Sequence, residues 1–349
     1  MKRTYLAALA LACSATPAAA QNDINSVCDQ FNGDTRTRCA AVAQAVDAAQ
    51  PQLGILMAGG NPTLGTASTG GVRLGILPRV SAGGRVNVVF ARLPDIREEG
   101  SANGGFVPDK FSVPAPAIGA NVSVGVTPGV SLAPLIGGFG AVDLLGSLTF
   151  LPLSVAGVDG LEENVTSWGV GARVGLLRES FVTPGVSVSL MYRHMGDVKY
   201  GDVCEGAEGQ DPLSSQSRLC ASEGDFGEVE FDLKNWSARG AVSKRLLGFG
   251  LTAGVGYDRF DTGADLAFRA PSGLVPNPIR SIIRLDNVRV DNDRWSAFVN
   301  GSFTLLVASI VAEAGWMQGN EPISGFPSTS DFDPGDGTLF GSVGFRLSL

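Results

Sequence analysis

Chemistry in this chain would have to come from one histidine, a recurring set of arginines, a few carboxylates and five cysteines. His194 is the single histidine and stands in Tyr192-Arg193-His194-Met195-Gly196-Asp197. An imidazole works as a base when it can take a proton from a positioned hydroxyl or thiol. A lone histidine at the rim of an expected strand is the simpler reading, and no enzyme is expected. The arginines are more telling. Arg73, Arg85, Arg173, Arg193, Arg239, Arg294 and Arg346 fall in one phase of period-two segments, among Gly, Ser, Asn and Thr. Asp143, Asp258 and Glu313 share that phase. If the phase faces a water-filled lumen, rings of guanidinium groups favour anions. If the interior is narrow, the same arginines bridge to those carboxylates or to the N-terminal segment. The sequence leaves both readings open.

The cysteines point to a compartment rather than to a reaction. Removing the first twenty residues takes away Cys13 and leaves four, an even number suited to an oxidising environment. Pairing Cys28 with Cys39 and Cys204 with Cys220 is the local solution, although four cysteines permit three connectivities. Neither pair has a neighbouring histidine, so zinc ligation is disfavoured and no metal or other cofactor is expected. Residues 195–225 carry Asp197, Asp202, Glu205, Glu208, Asp211, Glu223 and Asp225 against Lys199 and Arg218. Such carboxylates could ligate divalent cations at anionic lipid, but a solvated loop is the simpler reading. Gly59-Gly60-Asn61-Pro62 and Gly137-Gly138-Phe139-Gly140 lack the lysine and following helix of a phosphate loop, and read as turns.

Residues 1–20 have the order of an export signal: Lys2 and Arg3, the apolar run Leu6 to Ala12, then Ala18-Ala19-Ala20 before Gln21. Lipoprotein processing at Cys13 is the alternative, but Ala10-Leu11-Ala12-Cys13 fits it poorly. The remainder carries 24 Lys and Arg (26 less Lys2 and Arg3) against 34 Asp and Glu, net −10. An acidic exported chain is not expected to bind nucleic acid. Mean hydropathy is +0.17, yet no later segment has the ~18 uninterrupted apolar residues of a membrane helix. Apolar content spread over alternate positions is the pattern of a β-barrel.

The elements that must position these residues follow from that period. Residues 21–50 stand apart: Asp34 to Gln50 reads as an Ala-rich helix, with Asp34 or Thr35 able to cap it. This segment would lie in the periplasm or fold into the lumen as a plug. From 51 to 349 a single barrel is expected. Twelve strands are indicated, near 51–59, 70–80, 84–93, 115–126, 140–154, 164–177, 182–194, 227–244, 247–268, 282–304, 306–318 and 337–349, with ten or fourteen as alternatives. Short connections near 81–83, 127–129, 184–185, 246–248 and 305 alternate with long ones near 94–113, 155–163, 195–225, 269–281 and 319–336. A phase shift is expected near Lys234-Asn235. The face opposite the arginines carries Ile118, Val122, Trp168, Val170, Val188, Leu190, Trp236, Val242, Leu251, Val255, Trp295, Val299, Ile310 and Trp316. Aromatics toward strand ends suit a lipid-facing band with interfacial girdles. A soluble barrel would invert the faces.

The last twelve residues alternate strictly: Leu339, Val343, Phe345, Leu347 and Leu349 against Thr338, Ser342, Gly344, Arg346 and Ser348. This resembles the closing strand of bacterial outer-membrane β-barrels, although that family usually ends in Phe. The resemblance implies an antiparallel up-and-down barrel in the outer membrane of a Gram-negative-type bacterium, in contact with lipid and recognised by the barrel-assembly machinery through Phe345, Leu347 and Leu349. The setting of His194 loosely resembles the active-site strand of outer-membrane phospholipase A. There the histidine is followed, after one residue, by the serine nucleophile and then an asparagine. Gly196 and Asp197 occupy those positions here, so catalysis does not carry over. Gly59 to Gly71 resembles an Asn-Pro stretch of the long-chain fatty-acid transporters over about three residues, and no ligand site is taken from it. The leading expectation is passive passage of small solutes, anions among them, through an Arg-lined lumen. A closed structural or adhesive barrel is the alternative. A hydrophobic-ligand transporter is a third, because Leu77, Val89, Leu145, Phe298 and Phe340 fall on the inner phase.

Overall fold

The computed structural model describes residues 23–70, 72–73, 77–97, 101–102, 105–131, 137–152, 164–203, 219–220, 225–270 and 280–348. The expected export signal, the Cys204–Cys220 pair and Leu349 lie outside the described residues or side chains. Among the described residues ten strands close a barrel: β1 (Val80–Pro94), β2 (Lys110–Thr127), β3 (Ala141–Leu151), β4 (Val165–Leu177), β5 (Gly185–Tyr200), β6 (Gly227–Leu246), β7 (Phe249–Arg269), β8 (Arg280–Leu305), β9 (Ala308–Met317) and β10 (Thr338–Ser348). Each strand pairs antiparallel with its sequence neighbour, and β10 pairs with β1, Phe340 opposite Val89 and Ser348 opposite Ser81. The topology is up-and-down, and the β10–β1 pairing closes the sheet, so the barrel wall itself lacks the open edges that expose unpaired backbone groups.

Twelve strands are corrected to ten, and the two that fail are the first two. Residues 51–58 belong to a helix, α1, which runs Gly33–Ala58 for 26 residues. Among the described residues of 70–79 there is only a two-residue pair, Val72–Arg73 with Leu77–Pro78, outside the barrel sheet. The apolar run Leu53 to Ala58 continues an alanine-rich helix, and periodicity over so short a run does not specify a strand. Asp34 and Thr35 do not cap α1. Asn32 occupies that position without a side-chain cap bond, and Asp34 instead accepts from Arg38 one turn later at 2.7 Å. The phase shift in β6 falls between Phe231 and Leu233, slightly before the expected place.

α1 lies inside the barrel. At ~1.5 Å per residue it extends for about 39 Å, and from Arg38 onward every residue is buried. It has no apolar stripe because the wall surrounds it on all sides. Phe31, just before the helix, packs on Phe268 at 6.0 Å, near the end where the long connections gather. The following chain reaches the opposite end, where Arg346 donates to the carbonyl of Leu64. The segment thus runs the length of the lumen from the loop end to the turn end. The disulfide Cys28–Cys39 ties the preceding 3-10 turn, Val27–Gln30, to α1.

The barrel's faces are distributed as expected. Val86, Ile118, Leu148, Val170, Leu190, Val242, Val255 and Ile310 point outward and are exposed, while the arginine phase points inward. Strands β6, β7 and β8, at 20, 21 and 26 residues, continue past the apolar belt at the loop end. There the inner wall turns apolar: Val198, Phe231, Phe260, Phe268 and Val290 pack around Ala41, Val42, Ala45 and Val46 of α1. The lumen is therefore half a conventional core and half a polar network.

Candidate functional site: the arginine network of the closed lumen

The inward arginines share their half of the barrel with the segment that follows α1. Arg173 and Asp143 face each other across the β3–β4 pair. Their guanidinium and carboxylate meet at 2.6 Å, with 3% and 1% of each side chain exposed. Asp143 also accepts from the backbone N–H of Gly70 at 3.0 Å, and Arg173 donates to the carbonyl of Thr66 at 3.3 Å. Arg239 of β6 pairs with Asp258 of β7 at 2.8 Å and donates to the carbonyl of Gly60 at 3.1 Å. Each pair therefore also holds the plug. A buried charge without such a partner would be strongly destabilising.

Glu313 organises the middle of the lumen. Its carboxylate accepts from the backbone N–H groups of Gly60 (2.8 Å) and Asn61 (2.9 Å), from Asn300 Nδ2 (2.9 Å) and from Ser342 (3.4 Å). Arg85 lies on the other side of the same bend. It donates to the carbonyls of Ala58, the last residue of α1, and Asn61. A cation at a helix C-terminus satisfies carbonyls that the helix leaves free and complements its dipole. Gly59 makes the bend with φ +60°, and a Cβ there would meet a guanidinium nitrogen of Arg85 at 2.6 Å and Glu313 at 3.2 Å. Glycine is required at that position on both counts.

The middle of α1 is held by polar side chains that sequence reasoning did not single out. Gln44, Asp47, Gln50 and Gln52 are all buried. Asp47 accepts from Gln44 (3.2 Å) and Asn320 (2.9 Å), with Arg294 3.9 Å away. Gln50 donates to the Val290 carbonyl at 3.1 Å and accepts from Asn292 at 2.7 Å. Gln52 and the Arg92 backbone exchange bonds of 2.6 and 2.7 Å. Pro51 removes the helical partner of the Asp47 carbonyl, and Asn292 Nδ2 reaches that oxygen at 3.4 Å. The available signal was polar residues spread around an alanine-rich helix that has a proline inside it.

Of the seven arginines named from sequence, six are placed inside the barrel, and the Arg73 side chain lies outside the described set. Asp143, Asp258 and Glu313 are inside with them. Arg85, Arg193 and Arg346 have no carboxylate within 4.0 Å among the described residues. Arg193 donates to Ser237 at 2.7 Å, and Arg346 to Leu64 and Ser309. The inner-phase apolar residues Val89, Leu145, Phe298 and Phe340 are buried as well. His194 faces outward, its ring 6.0 Å from Trp168 and its Nδ1 buried without a hydrogen-bond partner. Among the described residues no cluster of three or more metal-ligating side chains occurs.

No family model and no curated protein matches this chain. Solved structures that match include the transport unit of the autotransporter AIDA-I from Escherichia coli, at 8% identity and TM-score 0.37 over 87% of this chain and 99% of that one. The attachment invasion locus protein Ail of Yersinia pestis matches at 10% identity and TM-score 0.28, over 78% and 98%. The toluene transporter TodX of P. putida matches at 12% identity and TM-score 0.25, over 78% and 90%.

Proposed function

We propose that this protein is an outer-membrane β-barrel whose conduit is closed by its own N-terminal helix, and that small anionic solutes pass only when α1 and residues 59–70 are displaced. The observation that carries this reading is the occupancy of the lumen: α1 and the following segment hydrogen-bond to the wall along its length. Displacement would uncover Arg85, Arg193 and Arg346, which have no carboxylate within 4.0 Å among the described residues, and a conduit in which arginines outnumber carboxylates favours anions.

Membrane insertion is supported by the outer surface. The four tryptophans of the chain, Trp168, Trp236, Trp295 and Trp316, all point outward and are about half exposed. Tyr192 and Tyr257 join their row, with ring centroids 5.0 Å apart for Tyr192–Trp236 and 5.2 Å for Tyr257–Trp295. Beyond the row, exposed Arg259, Asp261, Asp291 and Asp293 replace apolar residues. Toward the turn end the apolar face continues to Leu247 and Leu306, which are 100% and 92% exposed. Both have positive φ, 49° and 55°, in two-residue turns where water would favour Gly or Asn. On β8, Trp295 to Leu305 spans ten steps, matching the roughly 9–11 tilted residues that cross a hydrocarbon core. Phe345 and Leu347 of β10 face outward within this belt, where the barrel-assembly machinery would read them.

Conductance of refolded protein in a planar bilayer tests the proposal. Intact protein should be closed. Variants that loosen the plug, Asp47→Asn with Glu313→Gln, or a deletion of 23–58, should give steady anion-selective currents. Closed bilayers from both would leave the structural barrel, which the same filled lumen also favours. A steady current from intact protein would overturn the plug.

A further inference from the structure

We infer that the turn end of the lumen is a binding site for a phosphate-type oxyanion, held by Arg79, Arg173, Arg245 and Arg346. A cavity of about 300 Å³ opens there, between residues 63–70 and the ends of β1, β4, β6, β8 and β10. Its wall carries these four guanidinium groups together with hydroxyls, including those of Thr69 and Ser123.

The charge count sets the ligand class. Arg173 is neutralised by Asp143 at 2.6 Å, and Arg245 by Glu179 at 3.6 Å. Arg79 and Arg346 have no carboxylate within 4.0 Å among the described residues, so two of the four guanidinium groups lack an ion-pair partner. Arg346 is 95% buried, and the protein satisfies it only in part: it donates to the Leu64 carbonyl and to Ser309, while its Nε has no partner. Thr69 is equally buried and its Oγ1 is also unpartnered. A buried polar atom without a partner costs free energy in the empty state, and an anion carrying several acceptor oxygens removes that cost. Arginines and hydroxyl residues lining one pocket of this size suit the tetrahedral oxygens of phosphate. The cavity lies at the inner boundary of the proposed belt, so the phosphate could be free or carried by a lipid headgroup.

Titration of the refolded full-length protein in maltoside micelles, which contain no phosphate, tests this. Inorganic phosphate is added in one arm and dihexanoylphosphatidylglycerol in the other, with binding followed by phosphorus NMR. Saturable binding in either arm is expected and identifies the source. Arg346→Gln should weaken it at least tenfold, as should Arg79→Gln. Arg79 is exposed, so its replacement remains informative where Arg346→Gln fails to fold. Arg92→Gln, at the loop end beside Asp336, should leave binding unchanged. No saturable binding in either arm, or binding by the Arg79 and Arg346 variants as tight as that of the unchanged protein, overturns the site. The site is formed in part by residues 63–70 and so rests on the filled lumen of the proposed function; a closed bilayer without phosphate binding would overturn the site and keep the plug.

Discussion

At the residue scale the lumen is a set of charges whose partners are specific. Arg173 and Asp143 are almost fully buried on adjacent strands. Asp143→Asn should leave Arg173 with weakened compensation and cost about 3–5 kcal/mol, whereas replacing both with apolar residues of similar volume should cost much less. Thermal unfolding of the two variants on a heat-modifiability gel separates these outcomes. Gly59→Ala should destabilise by about 1–3 kcal/mol, because it combines positive φ with a collision against Arg85. Little change there would show that the bend after α1 is looser than described. Beyond the barrel, Asp95 carries a testable pH dependence. Burial raises its pKa, but the hydrogen bonds and charge of Arg97 outweigh this and hold it below the usual 3.8. The group therefore stabilises the loop above the unfolded-state value and loses that contribution as pH falls through its lower folded value. Amide exchange near Asp95 should rise below about pH 4 in the native protein, and Arg97→Ala should move that onset upward.

At the scale of elements, α1 is the part whose behaviour decides the function. Its disulfide closes a separation of 11 residues, which in the chain-entropy model contributes about 2–3 kcal/mol. Both sulfurs belong to buried residues, so a reductant should reach them only when the helix start opens. Reduction of the native protein should thus be slow, and it should accelerate in plug-loosening variants such as Asp47→Asn. Equal reduction rates would show that the N-terminal turn opens independently of the lumen. Legibility at this scale was uneven. Strands β1 to β10 were readable because each has an apolar outward phase and a polar or small inward phase. Residues 51–58 were not. Leu53 to Ala58 is a short apolar run broken only by Gly54, and periodicity over such a stretch does not distinguish a buried strand from a buried helix.

At the scale of the whole molecule, the outer surface defines one continuous apolar belt bounded by the tryptophan row and by the Leu247 and Leu306 turns. Protein refolded into bilayers with brominated acyl chains should show its strongest tryptophan quenching with bromine close to the headgroups. All four tryptophans share that boundary, so quenching greatest at the bilayer centre would contradict the placement of the belt.

What the sequence determined by itself is what depends on period and composition: an antiparallel barrel, and which residues share a face of its wall. Arg85, Arg173, Arg239 and Glu313 could be assigned to one common face because side-chain alternation is a local property of the strand. What only the tertiary structure decided is what those inward groups meet. Whether a lumen is open or filled depends on where a segment tens of residues earlier in the chain comes to rest. The partners of Glu313, the N–H groups of Gly60 and Asn61, lie some 250 residues away in sequence. No local pattern encodes such a contact. It exists because a ten-stranded wall leaves a space the width of one helix, and an alanine-rich helix with Gln and Asp on its flanks fills that space while satisfying the groups that line it.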